Sequence, residues 1–175
     1  MKTAVFLDRD GVVNKVILRN RRPFSPRSLS QFEILHKVPE AVKILQNLGH
    51  EIVVITNQPE LSSGVISEDL TLEIHNTISS ITGIKHFYFC GHNDMHNCEC
   101  RKPKPGMIIK AAQDLDLDLT QSYLVGDRWK DIQAGQKAGC TCYFIDNEYD
   151  EIRPSPPFIT VKSLYEFAVL IRGRI

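Results

Sequence analysis

Four places in the chain carry side chains able to handle an anion or a metal. "FLDRDGVVN" puts Asp8 and Asp10 two residues apart, with Gly11 free to turn the backbone away. Carboxylates that close repel unless a cation or a shared proton offsets them. "YLVGDRWKD" supplies Asp127 and, one helical turn on, Asp131. Three or four carboxylates at one sheet edge form a hard oxygen site suited to Mg2+. "VITNQ" adds the Thr56 hydroxyl and Asn57 amide as neutral donors, and "CRKPKPG" offers Lys102 or Lys104 as a positive charge. A nucleophilic carboxylate, a charge-neutralising metal, a hydroxyl and a lysine are the parts that move a phosphoryl group.

A second cluster has different chemistry. "CGHNDMHNCECRKP" contains Cys90, His92, Cys98 and Cys100, enough for a tetrahedral Zn2+ site, with His96 as a spare ligand. Four protein ligands leave no open position for water, which points to a structural rather than a catalytic metal. The loop is short and poor in apolar residues, so zinc would supply the folding energy that it lacks. Cys140 and Cys142 alternate at the start of a strand and read as packing residues.

These residues need a frame that brings them together. Apolar runs at 4–8, 51–56, 87–90, 122–127, 142–146 and 158–161 alternate with helical patterns. The helices run from Pro39 to Leu48, Ser67 to Ile81, Pro105 through "MIIKAAQDL", Asp131 to Ala138, and along "LYEFAVLIRG". Strand–helix–strand alternation implies a parallel sheet, and strands apolar throughout imply helices on both faces. The expectation is a three-layer, open α/β fold of Rossmann-like type in one domain spanning 1–175. Ligands of such sheets bind beyond the carboxyl ends of the strands, where the polar residues above fall.

The chain has 21 basic and 21 acidic residues, so no net charge draws it to nucleic acid or an anionic membrane. No apolar run approaches the roughly 20 residues of a membrane span, and the first residues lack a signal-peptide layout. Five cysteines, three of them bunched, fit a reducing compartment better than a disulfide framework. A cytoplasmic, monomeric protein is expected.

"DRDGVVN", "TNQ", "RKPKPG" and "GDRWKD", in this order, resemble the four motifs of the haloacid dehalogenase superfamily. The nearest resemblance is to its cap-less histidinol-phosphate and heptose-bisphosphate phosphatase branch, which carries a zinc loop before "CRKP". The resemblance implies that Asp8 attacks the phosphate and that Asp10 protonates the leaving alkoxide and then activates water. It also implies that Thr56 and Lys102, rather than Lys104, stabilise the transferring group. Asp8, the Asp10 carbonyl and Asp127 would hold magnesium, while Asp131 orients the lysine or a metal-bound water. Asn57, Gln58, Arg101 and Arg128 become candidates for binding the substrate.

The implied substrate is a small phosphorylated metabolite, D-glycero-D-manno-heptose 1,7-bisphosphate first, with histidinol phosphate or another sugar phosphate as alternatives. A non-catalytic, zinc-stabilised binding domain is the rival from another class. It gives no physical need for mutually repelling carboxylates. Two departures bear on specificity. The family's "TNQSGIARG" is "TNQPELSSG" here, without the arginine. A basic insert also follows Asn14, carrying Lys15, Arg19, Arg21, Arg22 and Arg27, and is expected as a loop folding over the crevice to meet a second phosphate or a nucleotide. The stretches 11–38 and 57–86 are too short for a cap domain.

Overall fold

The computed structural model describes residues 1–174. Its elements are β1 (Ala4–Leu7), the short strands β2 (Ile17–Arg19) and β3 (Arg22–Phe24), α1 (Val38–Asn47), β4 (Glu51–Asn57), α2 (Glu68–Thr82) and β5 (His86–Cys90). They continue with α3 (Gly106–Leu115), β6 (Tyr123–Gly126), α4 (Trp129–Ala138), β7 (Thr141–Ile145), β8 (Ile159–Val161) and α5 (Leu164–Arg172).

Six strands form one parallel sheet in the order β5-β4-β1-β6-β7-β8. Strand side chains alternate between faces, and both faces are covered. Val5, Leu7, Ile52 and Val54 pack with Val42 and Leu45 of α1, Ile74 and Ile78 of α2, and Phe167 of α5. Ala4, Phe6, Val53 and Ile55 pack with Met107 and Ile108 of α3 and Ile132 of α4. The result is the expected three-layer architecture, and among the described residues no cap domain is inserted.

The chain leaves β1 to build β4 and β5 on one side, then returns to build β6, β7 and β8 on the other. Strand order therefore reverses at β1, which opens a crevice at the carboxyl ends of β1, β4 and β6. Helix ends follow local chemistry: the Ser67 hydroxyl accepts from the Leu70 amide at the start of α2, and Gly83 and Gly139 close α2 and α4 in the left-handed conformation.

Two expectations are corrected. The helix expected from Asp131 begins at Trp129, so Asp131 lies in its first turn, where its carboxylate accepts the Arg128 amide at 2.9 Å. The basic insert is an antiparallel hairpin rather than a loop, with β2 and β3 joined through Asn20 and Arg21. Both residues have positive φ, 51° and 60°, as a two-residue primed turn requires.

Candidate active site

β1 and β6 are neighbours, and the Asp8 amide donates to the Val125 carbonyl at 3.0 Å, so Asp8 and Asp127 emerge side by side. Gly11 turns the chain at φ +91°, and a β-carbon there would lie 1.8 Å from an Asp127 carboxylate oxygen. Only glycine fits that position. Asp8, Asp127 and Asp131 are buried, with one oxygen of each within 4.8 Å of the others.

Lys102 is buried among them. Its ammonium donates to Asp8 Oδ1 at 2.7 Å and to the Ile55 carbonyl at 2.9 Å, and pairs with Asp131 Oδ1 at 2.6 Å. Burial works against its charge, but Asp131 and Asp8 more than offset that and hold it protonated. Lys104 lies outside the crevice, paired with Glu99 at 2.9 Å, so of the two lysines Lys102 alone enters the cluster.

Three carboxylates against one ammonium leave two negative charges uncompensated. Like charges at these separations repel by about 3–4 kcal/mol per pair at an effective dielectric near 20. Burial first, then the Asp131 charge, lifts Asp8 to about 6 despite Lys102. Burial and the charges of Asp8 and Asp131 raise Asp127 well above the carboxylate range. Asp127 Oδ2 accepts from the Tyr149 hydroxyl at 2.6 Å and the Asn147 amide at 3.2 Å, while its Oδ1 is buried without a partner. An unpartnered carboxylate oxygen in an all-oxygen, net-negative cluster is what a hard divalent cation fits.

Asp10 has the opposite environment. Arg9 donates to both its oxygens at 3.0–3.2 Å, Asn14 to Oδ1 at 2.9 Å, and Ser25 and Gln58 to Oδ2 at 2.7 and 2.9 Å. Burial pushes its carboxyl up, but Arg9, Asn14 and Ser25 hold it below the usual range. The paired aspartates are thus set apart, Asp8 raised and Asp10 depressed.

Thr56 Oγ1 is buried at the cleft and accepts from Gln58 at 2.8 Å, which leaves its own proton to donate. Two substrate-binding candidates are engaged by the protein itself, Asn57 while also lining the cleft. The Asn57 side chain donates to the Lys102 carbonyl at 3.0 Å and accepts the Lys102 amide at 3.1 Å, so its polar atoms clamp the lysine peptide. Gln58 is fully buried and does not line the cleft; its amide ties Thr56 to Asp10.

The cleft is about 490 Å³. Its lining includes Val16, Arg22, Phe24 and Ser25 from the insert, together with Arg101, Arg128, Lys130 and Glu151. Arg128 forks onto Glu151, and Arg101 donates to Asp94 at 2.7 Å and to the His92 carbonyl at 3.2 Å, so protein groups hold both guanidiniums. Of the insert's cations only Arg22 lines the cleft. Arg19 lies over Phe24, Arg21 donates to the Glu148 carbonyl, Arg27 pairs with Glu60 and Lys15 with Glu33.

Next to this cleft, Cys90, His92, Cys98 and Cys100 converge. The Sγ–Sγ distances are 2.9, 3.4 and 3.6 Å, and His92 Nδ1 is 3.3 Å from Cys100 Sγ and 3.5 Å from Cys90 Sγ. Thiolates around tetrahedral zinc stand about 3.8 Å apart, given Zn–S near 2.3 Å, so the group is compatible with zinc after a slight expansion. His96 bonds Asn93 at 2.7 Å and stays outside. Cys140 and Cys142 pack beneath α4 as expected.

Sequence reasoning missed Tyr149 and Asn147, which reach Asp127 from the loop after β7, as well as Arg9 and the burial of Gln58. Only the neighbouring strand order brings 147–149 to the site; no local motif marks them.

A lysine buried between two carboxylates at the carboxyl edge of a parallel sheet, beside a threonine hydroxyl, is an arrangement suited to phosphoryl transfer within the α/β class. The HAD-hydrolase-like family model matches residues 99–166. A D-glycero-alpha-D-manno-heptose-1,7-bisphosphate 7-phosphatase of Photorhabdus laumondii is 32% identical over 95% of this chain and 94% of its own length. The corresponding beta-anomer phosphatase of Pasteurella multocida is 33% identical over 79% and 78%. Among solved structures, a D,D-heptose 1,7-bisphosphate phosphatase from B. bronchiseptica, complexed with magnesium and phosphate, superposes with a TM-score of 0.85 at 24% identity, covering 99% of both chains. The chain belongs to the heptose-bisphosphate phosphatase family of the haloacid dehalogenase superfamily.

Proposed function

We propose that the chain is one catalytic domain that hydrolyses the 7-phosphate of D-glycero-D-manno-heptose 1,7-bisphosphate, working as a cytoplasmic monomer. The observation that carries the chemistry is Asp8, paired with Lys102 and facing the cleft beside Thr56. The relatives' names favour the heptose substrate over histidinol phosphate. The free thiols fit a reducing compartment.

Asp8 attacks phosphorus, and the P–O bond to the sugar breaks. Asp10 gives its proton to the leaving alkoxide; an incoming phosphoryl anion beside Asp10 raises the pKa of that carboxyl, which lets it hold the proton it must give. Asp10 then takes a proton from water, which attacks the aspartyl-phosphate, releasing phosphate and restoring Asp8. Thr56 donates to a phosphoryl oxygen, and Lys102 turns the donor it gives Asp8 toward the phosphoryl group as Asp8 attacks. Asp8, Asp127 and the Asp10 backbone carbonyl would hold Mg2+, with Asp131 orienting Lys102. When bound, magnesium neutralises the charge of the phosphoryl group and of the carboxylates. Arg22, Arg101 and Arg128 are set to grip the rest of the substrate, including its second phosphate. Cys90, His92, Cys98 and Cys100 would hold zinc as a structural clip.

No helix of the described residues is long and apolar enough to cross a membrane, and the substrate sought is a small metabolite rather than nucleic acid. Specificity constants for both anomers of heptose 1,7-bisphosphate, histidinol phosphate and common sugar monophosphates test the reading. A preference for either heptose anomer of at least about tenfold is expected. Equal rates across the panel would reject the substrate, and no magnesium-dependent turnover at all would reject the function.

A further inference from the structure

The mechanism leaves unused a buried pair behind the cleft. Arg9 is among the largest fully buried side chains in the molecule, and no part of it lines the cleft. A guanidinium has five N–H donors and no acceptor, so its orientation depends on what receives them. Nε and Nη2 go to Asp10. Nη1 lies 3.4 Å from Nε2 of His75, on α2.

His75 is itself buried and stacked on Phe87 of β5, with ring centroids 4.7 Å apart and planes 17° from parallel, while Phe89 lies 5.8 Å away at a tilt. Two aromatic neighbours fix the ring's plane, and the Arg9 donor selects the tautomer with its proton on Nδ1. The charged groups that bear on it are Arg9 and Asp10; its β5 neighbours carry none. Burial, followed by Arg9, pushes the imidazole down to about 4, so it stays neutral and able to accept throughout the working pH range.

We infer that His75 is a positioning residue for the reaction: by accepting from Arg9 it sets the guanidinium that aims the Asp10 carboxylate at the leaving-group oxygen. Neither His75 nor Arg9 meets substrate. Both act through Asp10, so the inference rests on the acid–base role proposed above.

A mis-aimed acid hurts substrates whose leaving group must be protonated and spares those whose leaving group departs as an anion. The test compares kcat/KM for an alkyl phosphate and for p-nitrophenyl phosphate in the wild type, His75→Phe and His75→Gln, with magnesium present. His75→Phe keeps the stacking and loses the acceptor; the Gln carbonyl restores it. The alkyl-to-aryl ratio is expected to fall about tenfold in His75→Phe, with KM unchanged, and to return to within about threefold in His75→Gln. Equal losses on both esters, an unchanged ratio in His75→Phe, or failure of Gln to restore it would overturn the inference. Should His75→Phe not fold, His75→Asn takes its place: it is too short to reach Arg9 and must lower the ratio while Gln does not, and equal ratios overturn the inference. Turnover of both esters by the wild type tests the proposed function by itself; the ratio between variants tests His75.

Discussion

The two clusters that flank "RKP" are each suited to hold a cation, but by opposite means. Cys90, His92, Cys98 and Cys100 offer four soft ligands that close on one point, with their supporting bonds inside the loop. Asp8, Asp127 and Asp131 offer hard oxygens, carry more negative charge than Lys102 can offset, and keep one buried Asp127 oxygen unpartnered. The first satisfies its own valences and leaves nothing to react. The second is unsatisfied until a cation and an anionic substrate arrive, which separates a clip from a catalytic site. Lys102 links them: the clip ends one residue before Arg101, while the lysine's ammonium belongs to the aspartates.

The sharpest way to break this contrast is at the aspartates. Asp8→Asn is expected to cut turnover by at least about 10⁴-fold while leaving a folded chain. Near wild-type rates, measured in the same magnesium buffer, would strip the cluster of its catalytic meaning.

Lys102→Met comes next, since it removes the charge that offsets two buried carboxylates. We expect about 10²–10³-fold lower kcat and a loss of about 3–5 kcal/mol in urea unfolding without magnesium, because breaking a buried pair leaves its partners uncompensated. Magnesium should restore part of that stability. A variant as stable as the wild type would mean that the aspartates share protons instead.

At the clip, Cys98→Ser should lose bound zinc by elemental analysis and lower kcat only about tenfold. Asn57 still clamps the Lys102 peptide by two hydrogen bonds, so the lysine is held from a second side. Calorimetric magnesium affinity should stay within about twofold, since no ligand of that site lies in the loop. A collapse of magnesium binding would show that the two clusters are one.

The smallest effect is in pH. Asp8, raised from 3.8 to about 6, binds its proton more tightly in the folded chain than in the unfolded one. The metal-free fold therefore loses stability from this group as pH rises across that window, and magnesium must compete with a proton below it. Because Asp127 is raised as well, thermal shift by magnesium should keep growing as pH rises through about 6 and beyond, and should fade as pH falls through that value. A pH-independent shift would place the cation elsewhere.

Strand ends and ligand types were legible in the sequence because each depends on local order: an apolar run, then Asp, Thr or Gly. The zinc group was legible for the same reason, four ligands within eleven residues. What escaped depends on distance. Tyr149 reaches Asp127 only because β7 lies beside β6, and Arg9 meets His75 across 66 positions of sequence. Asn57 and Gln58 were read by type as donors to substrate, but their partners, the Lys102 peptide and Asp10, come from other strands and loops. The hairpin at 17–24 was hidden by strands of three residues, one of them containing Pro23, and by a turn of Asn-Arg rather than Asn-Gly.

The central claim is that Asp8 carries the phosphoryl group. It is tested most directly by quenching Asp10→Asn incubated with p-nitrophenyl phosphate, whose leaving group departs without an acid, then reducing with borohydride and sequencing the N-terminal peptide by mass spectrometry. The account predicts homoserine at position 8, formed from an aspartyl-phosphate that lacks its base for hydrolysis. Phosphate release with Asp8 unmodified, or reduction at another carboxylate, would contradict it.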